Sequence, residues 1–535
     1  MNSAFAELWE TIEWKSLLHN GIIKDNNFYL SKTHKIDDEL IATIDSFQKK
    51  PETICKFPAR YRFLVKNGYL FEKPKCLELE EHIRKISAVS ISIAFATENI
   101  TSPMSMMGHV IIKISGKEKD FAVSYMAVHT RKNFFSTLKF FADSLFYGSS
   151  GFYTLKPYSE VIELYNDTQD RNIEEYKLDL SQEQVDTFIE HLWELKGIEE
   201  PYNFIFNNCG TASIETLSVS DKRLYDFYHF MYTPIDTLKK LYSIDLISDI
   251  SLYYSDSYKI KLYQDNFTFT EKKEIKNFIK NEDITKLNDA QIYMAGIYSN
   301  NLFINEEINL NKYKDVQTLI ENNFNPNEDL ILTKPNKITI NNPFSSAISG
   351  GYGKYKNDDV FILTFRPTYR DINDDSSQVF TDFTLNLLKF DAYYNFNKEK
   401  FKFKEIDFYK IKSLSPTNYL IKTWSFAFTW GVKENDNENL SIVFDFGLGK
   451  TIQFGNFKPY FLAHVEYFKD LRLLYELGII FNFTKFDKTI IKYIDKKYSV
   501  SESIFLSDKV SLNFEYEREV YKKRENYKSY VKIYF

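Results

Sequence analysis

The feature that most limits the fold is the run of alternating segments filling the last third of the chain. Trp424, Phe426, Phe428 and Trp430 share one parity, while Thr423, Ser425, Ala427, Thr429 and Gly431 share the other. Leu440, Ile442, Phe444, Phe446 and Leu448 likewise oppose Ser441, Asp445, Gly447 and Gly449. Leu471, Leu473, Tyr475, Leu477, Ile479, Phe481 and Phe483 oppose Arg472, Glu476, Gly478 and Asn482. Val510, Leu512, Phe514 and Tyr516 oppose Lys509, Ser511, Asn513 and Glu515. Successive side chains of a strand point to opposite faces, so each segment predicts a strand with one apolar face and one polar or small face. Roughly ten to twelve such segments, joined by polar loops, predict an antiparallel transmembrane β-barrel over residues 341–535. Trp424, Phe426, Phe428 and Trp430 should then face lipid.

A soluble barrel or sandwich shows the same alternation, and the end of the chain decides between them. Val531, Ile533 and Phe535 lie on one face of the last segment, and a terminal strand ending in Phe resembles the assembly signal of bacterial outer-membrane proteins. No run reaches about 18 consecutive apolar residues, so no transmembrane helix is expected. The net charge of −6, with Lys interleaved among Asp and Glu, makes no case for nucleic acid as a partner. Ala4-Phe5-Ala6 has the small-x-small form of a signal cleavage site without the apolar segment that should precede it. Met1 therefore reads as an internal start, downstream of an export signal.

The 535 residues suggest about three or four units. Residues 7–85 carry apolar positions at helical spacing and predict a helical region. Within it Cys55 and Cys76 flank Pro58, Gly68 and Pro74. A disulfide between them would stabilise the fold by about 3 kcal/mol and imply an oxidising compartment. Residues 86–250 switch to β-branched alternation over 86–128, then to helices, one opened by the Ser181-x-x-Gln184 capping signature. This is an α+β core. Residues 251–340 read as a mixed connecting region.

Pairing Cys55 with Cys76 leaves one of the three cysteines over, and an odd cysteine in an exported chain is a candidate reactive thiol. That residue, Cys209, follows an aromatic run and Asn207-Asn208, and precedes Gly210-Thr211-Ala212. A thiol at a helix mouth feels the positive end of the dipole, which favours the thiolate. Upstream, Gly108-His109 heads an apolar strand. Cys and His supplied by separate segments can activate a thiol nucleophile, so Cys209 and His109 are the catalytic candidates. The Cys209 backbone N–H and the Asn208 side chain are candidate oxyanion donors. His129 is a candidate for orienting the imidazole, and Ser105 for shaping the pocket. A buried, inert cysteine is the competing reading. The other histidines lack ligand spacing, so neither a metal nor a cofactor is expected.

The segments IAFATENITSPMSMMGHVIIKIS, PYSEVIELYNDTQDRNIEEYKLDLS and IEHLWELKG followed by YNFIFNNCGTASIETL resemble the Lnb N-terminal periplasmic domain family. CKFPARYRFL is similar to the region that precedes this domain, so the resemblance spans residues 7–335. Its Gly-His then Asn-Cys order resembles permuted papain-like enzymes of the lecithin:retinol acyltransferase type. The resemblance implies a permuted papain-like α+β catalytic domain over 86–250. It also implies thiol acyl transfer from a phospholipid to the amino-terminal cysteine of a lipoprotein. A lipid or lipoprotein substrate, a periplasmic catalytic domain and an outer-membrane barrel follow from the combination. The barrel is a departure from the family pattern and leaves the acceptor open. Two other readings stay open: a cysteine peptidase or amidase acting on cell-wall peptide, and a non-enzymatic outer-membrane pore or scaffold.

Overall fold

The structure, a computed structural model, describes residues 8–98, 107–127, 147–227, 232–324, 337–379 and 381–535, together with 136, 139, 140, 143 and 144. The Ala4-Phe5-Ala6 segment lies outside the described residues. The chain forms two compact units that divide between Tyr253 and Tyr254.

The first unit opens with helices α1 (Ile12–Leu17), α2 (Ile36–Lys49), α3 (Pro58–Lys66) and α4 (Leu77–Ile86). Acidic Asp37, Asp38 and Glu39 favour the start of α2, and Leu40, Ile44 and Phe47 recur on its buried face. Pro58 occupies the first turn of α3, where its missing N–H costs nothing. These helices bury Trp14, Leu18, Phe28, Phe57 and Leu64 in one core that also takes in Leu195 and Ile198. Cys55 and Cys76 are bonded, with Cα atoms 5.3 Å apart. Replacing both by Ala should lower stability by about 3 kcal/mol. Thermal unfolding of the double variant checks this, and an unchanged midpoint would contradict it.

Arg60 is the polar hub of this region. Its guanidinium lies between the rings of Phe28 and Phe57, 4.6 and 4.3 Å from their centroids. It donates to Glu39 at 2.6 Å and to the Phe28 carbonyl at 2.7 Å, and lies 3.4 Å from Glu194. Glu194 accepts in turn from the backbone N–H groups of Ala59 and Arg60.

Seven strands make the sheet of this unit: β1 (Ala88–Ala96), β2 (His109–Gly116), β3 (Asp120–Ala127), β4 (Ser149–Pro157), β5 (Ile173–Leu178), β6 (Glu199–Tyr202) and β7 (Ile247–Tyr253). Their order is β6-β4-β3-β2-β1-β5-β7, antiparallel throughout. β1 is central and buried from Ile91 to Ala96, which is why its sequence is apolar on both parities there. Between the strands come α5 (Tyr158–Ile162), α6 (Gln182–Glu194), α7 (Cys209–Leu217) and α8 (Pro234–Ser243). Ser181 and Gln184 form the capping box expected at the start of α6. Helix α7 packs on β2 and β3.

The second unit begins with α9 (Asp256–Tyr263), α10 (Phe269–Asn281), α11 (Asp289–Ile304) and α12 (Leu310–Asn323). The region read as mixed holds the last residues of β7 and then these four helices, up to Asn323. The barrel strands follow: β8 (Ala347–Tyr355), β9 (Asp358–Arg366), β10 (Thr368–Arg370), β11 (Asp382–Asn395), β12 (Lys400–Leu414), β13 (Pro416–Thr417), β14 (Ser425–Glu434), β15 (Leu440–Ile452), β16 (Phe457–Phe468), β17 (Asp470–Phe481), β18 (Asp487–Ile494), β19 (Lys497–Phe505), β20 (Val510–Glu519) and β21 (Arg524–Tyr534). β21 returns to pair with β8, Tyr534 opposite Ala347, and β9 pairs with β11, so 12 strands close a barrel. β10 continues β9 past Pro367, and β13 pairs with β15 at the rim.

The parity read from sequence holds on the wall. Leu473 is 61% exposed and Tyr475 53%, while Glu476, the next residue along the same strand, is 4% exposed. Ser425, Ala427, Thr429 and Gly431 are buried on the inner face, opposite Phe426, Phe428 and Trp430. Trp424 is outside too, but it precedes β14 and carries Lys450 over its ring. The segment 420–424 does not continue the strand, because Asn418 caps a turn through the N–H groups of Leu420 and Ile421. Leu420 instead joins the core of α9–α12. These helices therefore share a core with the barrel rim, just as α1–α3 share one with residues following α6. That sharing merges what length alone divides into more units.

Candidate active site

The site is built where β2 and α7 begin. The β2–β3 ladder runs from Ser115↔Asp120 to Ile112↔Val123. Beyond it the ends of the two strands, His109 on β2 and Tyr125, Met126 and Ala127 on β3, line one cavity together with Cys209. Gly108 sets up the approach to β2. Its φ is +77°, and a Cβ there would lie 2.4 Å from the Phe95 ring, so only glycine fits.

Each residue of Asn208-Cys209-Gly210 has a local reason. Asn208 is the N-cap of α7: its side-chain oxygen accepts from the N–H groups of Gly210 (2.9 Å) and Thr211 (3.3 Å). Its amide nitrogen donates to the carbonyls of Tyr232 (2.6 Å) and Phe204 (3.3 Å). Both amide protons are thereby engaged, which makes Asn208 an anchor for the turn that carries Cys209 and leaves its amide no free donor. Gly210 lets α8 approach, since a Cβ would fall 2.6 Å from Thr237 Oγ1 and 2.9 Å from Pro234 Cα. Cys209, the first residue of α7, is buried at 3% exposure.

Burial decides the electrostatics. It pushes the Cys209 thiol up to about 11, against the pull of the Val110 N–H, of the Arg171 charge and of the helix-mouth N–H groups of Gly210 and Cys209. The helix mouth does favour the thiolate, as read from sequence, but loses to desolvation. Burial and then the Arg171 charge push His109 down to about 3. At neutral pH the cavity therefore holds a neutral thiol and a neutral imidazole. His109 Nε2 is buried and makes no hydrogen bond among the described residues.

Two side chains that sequence reasoning did not single out complete the wall. The Tyr165 ring lies 5.6 Å from that of His109, and the Arg171 guanidinium lies 5.0 Å from the Tyr165 centroid. Arg171 donates to the carbonyls of Ala96 and Thr97, both at 2.6 Å, and to Gln169 at 3.1 Å. Ala96 pairs across the sheet with His109 on one side and Ile173 on the other. Arg171 thus ties the strand end beside His109 to the turn preceding β5. His129 and Ser105, the candidates for orienting the imidazole and shaping the pocket, lie outside the described residues.

Behind the site, two histidines that looked scattered in sequence meet. His19 and His191 touch through their Nε2 atoms at 2.9 Å, and His19 Nδ1 lies 3.5 Å from Glu200. Glu200 also accepts from Tyr153 at 2.9 Å. This buried network joins the N-terminal helices to β6 and α6.

Residues 78–243 match the Lnb N-terminal periplasmic domain family. The match contains His109, Arg171 and Cys209, so the cavity lies wholly inside the Lnb-type domain. Residues 344–534 match a domain of unknown function (DUF7840), and residues 6–67 match another (DUF7843). No curated protein matches the chain. Among solved structures, KdgM porin is 10% identical, with 35% of this chain and 99% of that chain covered, at a TM-score of 0.24. The Acinetobacter baumannii outer membrane protein Omp33 is 11% identical, with 36% and 100% covered, at a TM-score of 0.23. Likenesses at that level carry no argument, and the barrel is read from its own strand pairing. No helix among the described residues is long and apolar enough to cross a membrane. A periplasmic domain family joined to a closed barrel with an apolar exterior places the protein in the outer membrane, with the Lnb-type domain in the periplasm.

Proposed function

We propose that the Lnb-type domain is a cysteine-dependent acyltransferase that moves a phospholipid acyl chain through a Cys209 thioester to an amine acceptor such as the amino terminus of a lipoprotein. The observation that carries this reading is the lining of the Cys209 cavity. Met107, Tyr125, Met126, Ala127, Phe140 and Phe204 present apolar or aromatic surface around the sulfur. An acyl chain gains by leaving water for such a wall, whereas a peptide backbone would have to surrender hydrogen bonds.

In the first step His109 Nε2 takes the thiol proton as Cys209 Sγ attacks the ester carbonyl. A C–S bond forms, the ester C–O bond breaks, and the imidazolium returns its proton to the departing lysophospholipid alcohol. In the second step the acceptor amine attacks the thioester. A C–N bond forms, the C–S bond breaks, and the amine proton passes through His109 to the thiolate. The Cys209 N–H at the mouth of α7 supports the oxyanion of each tetrahedral intermediate. Arg171 supplies positive charge that favours the thiolate as it develops, and it keeps the imidazole neutral before substrate arrives.

The test supplies the purified protein with a phospholipid carrying a heavy-labelled acyl chain and a diacylglyceryl-cysteine peptide with a free amino terminus. Gain of the labelled chain by the peptide supports the reading. Cleavage of the peptide without acyl gain would favour the peptidase instead. A pH prediction accompanies this mechanism. With His109 near 3 and Cys209 near 11, neither group titrates in between. kcat/KM for the acyl donor should therefore be flat from about pH 5 to 9. A bell with limbs near about 6 and 8 would instead indicate a preformed thiolate–imidazolium pair.

A further inference from the structure

The connection between β10 and β11 does not stay at the rim. We propose that residues 371–379 plug the barrel, so that it serves as an anchor and not as a pore. The segment leaves the wall between β9 and β11 and reaches the wall on the far side of the 12-strand ring. On β18, Lys488 Nζ donates to the carbonyls of Ile372 (3.0 Å) and Asp374 (2.5 Å). On β19, Ser501 Oγ donates to Asn373 Oδ1 at 3.0 Å. In strand order β18 and β19 stand opposite the point of departure, so these bonds span the lumen.

Asp374 is the centre of the attachment. Its carboxylate takes Arg366 of β9 at 2.5 Å, Lys532 of β21 at 2.8 Å and the Tyr534 hydroxyl at 2.9 Å. Where the segment ends, Asp382 is bound by Lys458 of β16 at 2.6 Å and lies 3.1 Å from Lys488. Four strands on both sides of the ring, β9, β18, β19 and β21, therefore hold this short stretch, and β16 meets the first residue of β11 just beyond it. Apart from the half-buried Lys458 these charged groups are buried, and such groups stay charged in an interior only when paired. Beside them Ile372 packs on a dry inner layer of Leu414, Tyr460, Leu462, Ile480 and Ile490. An aqueous channel would expose both features to water. Further along the lumen, the space among Lys354, Tyr355, Asp391, Lys404, Glu515 and Lys528 amounts to a cavity of about 120 Å³. All of these contacts lie in the second unit and are independent of the proposed acyl transfer.

The full-length protein, reconstituted in planar lipid bilayers in potassium chloride, tests the plug. The wild type should give no stepwise currents. A variant with residues 372–377 replaced by a Gly-Ser linker, and folded by its heat-shifted gel mobility, should conduct at least ten-fold more. Porin-like steps from the wild type would overturn the proposal, and so would a folded linker variant as silent as the wild type. If the linker variant does not fold, the pair Asn373→Cys and Ser501→Cys decides. Oxidation of this pair in outer-membrane vesicles should give an internal crosslink, and its absence would overturn the plug.

Discussion

The Cys209→Ser protein is expected to fold as the wild type does and to transfer no measurable acyl chain, a loss of about 10⁴-fold or more. The serine hydroxyl retains the shape of the thiol, and burial, which already pushes the thiol up to about 11, disfavours an alkoxide far more. His109→Ala should fall nearly as far, because nucleophile and base act as one unit and their losses do not add. The double variant should then be no worse than the more damaged single one. Initial rates with the labelled phospholipid, alongside circular dichroism of each variant, check this. Wild-type turnover by Cys209→Ser would end the enzyme reading and leave a binding role for the domain.

The second large effect is on stability. Arg60→Ala removes the cation that faces Glu39 and Glu194 while leaving both carboxylates buried. Breaking a buried pair from one side costs about 3–5 kcal/mol, well above what an exposed pair contributes. Stacking of Arg60 between Phe28 and Phe57 adds a packing loss to the electrostatic one. For a unit of this size the thermal midpoint should drop by about 10 °C. Adding Glu39→Gln, which removes one stranded charge, should recover part of the loss. A change below about 1 kcal/mol in Arg60→Ala would show that the network is solvated and not a structural hub.

The barrel was legible in the chain because parity is a local signal. Leu440 to Leu448 and Leu471 to Phe483 state which face is outside without reference to any other segment. At the start of β14 the same signal overreaches: Thr423 and Trp424 keep the alternation but precede the strand, and Leu420 just before them belongs to the core of α9–α12. Helix α11 escaped notice because Ile292, Met294, Ala295, Ile297, Tyr298 and Leu302 are all buried, which leaves no polar face to reveal a helical period. Cys209 and His109 could be singled out by composition and order. The structure brings them to one cavity, while their roles rest on the proposed chemistry. Arg171 and Tyr165 could not be found this way, since their relation to His109 exists only across the sheet. Nor could sequence show that desolvation outweighs the helix mouth at Cys209, because burial is a property of the whole fold.

The most direct measurement is the intact mass of the purified protein after incubation with phospholipid and no acceptor. The account predicts a mass gain equal to one acyl chain, mapped to Cys209, sensitive to hydroxylamine and absent from Cys209→Ser. It further predicts that adding an amine-bearing lipopeptide discharges the adduct onto the peptide. Acyl transfer to the peptide with no adduct on Cys209 in either condition, or an adduct mapped to another residue, would contradict it.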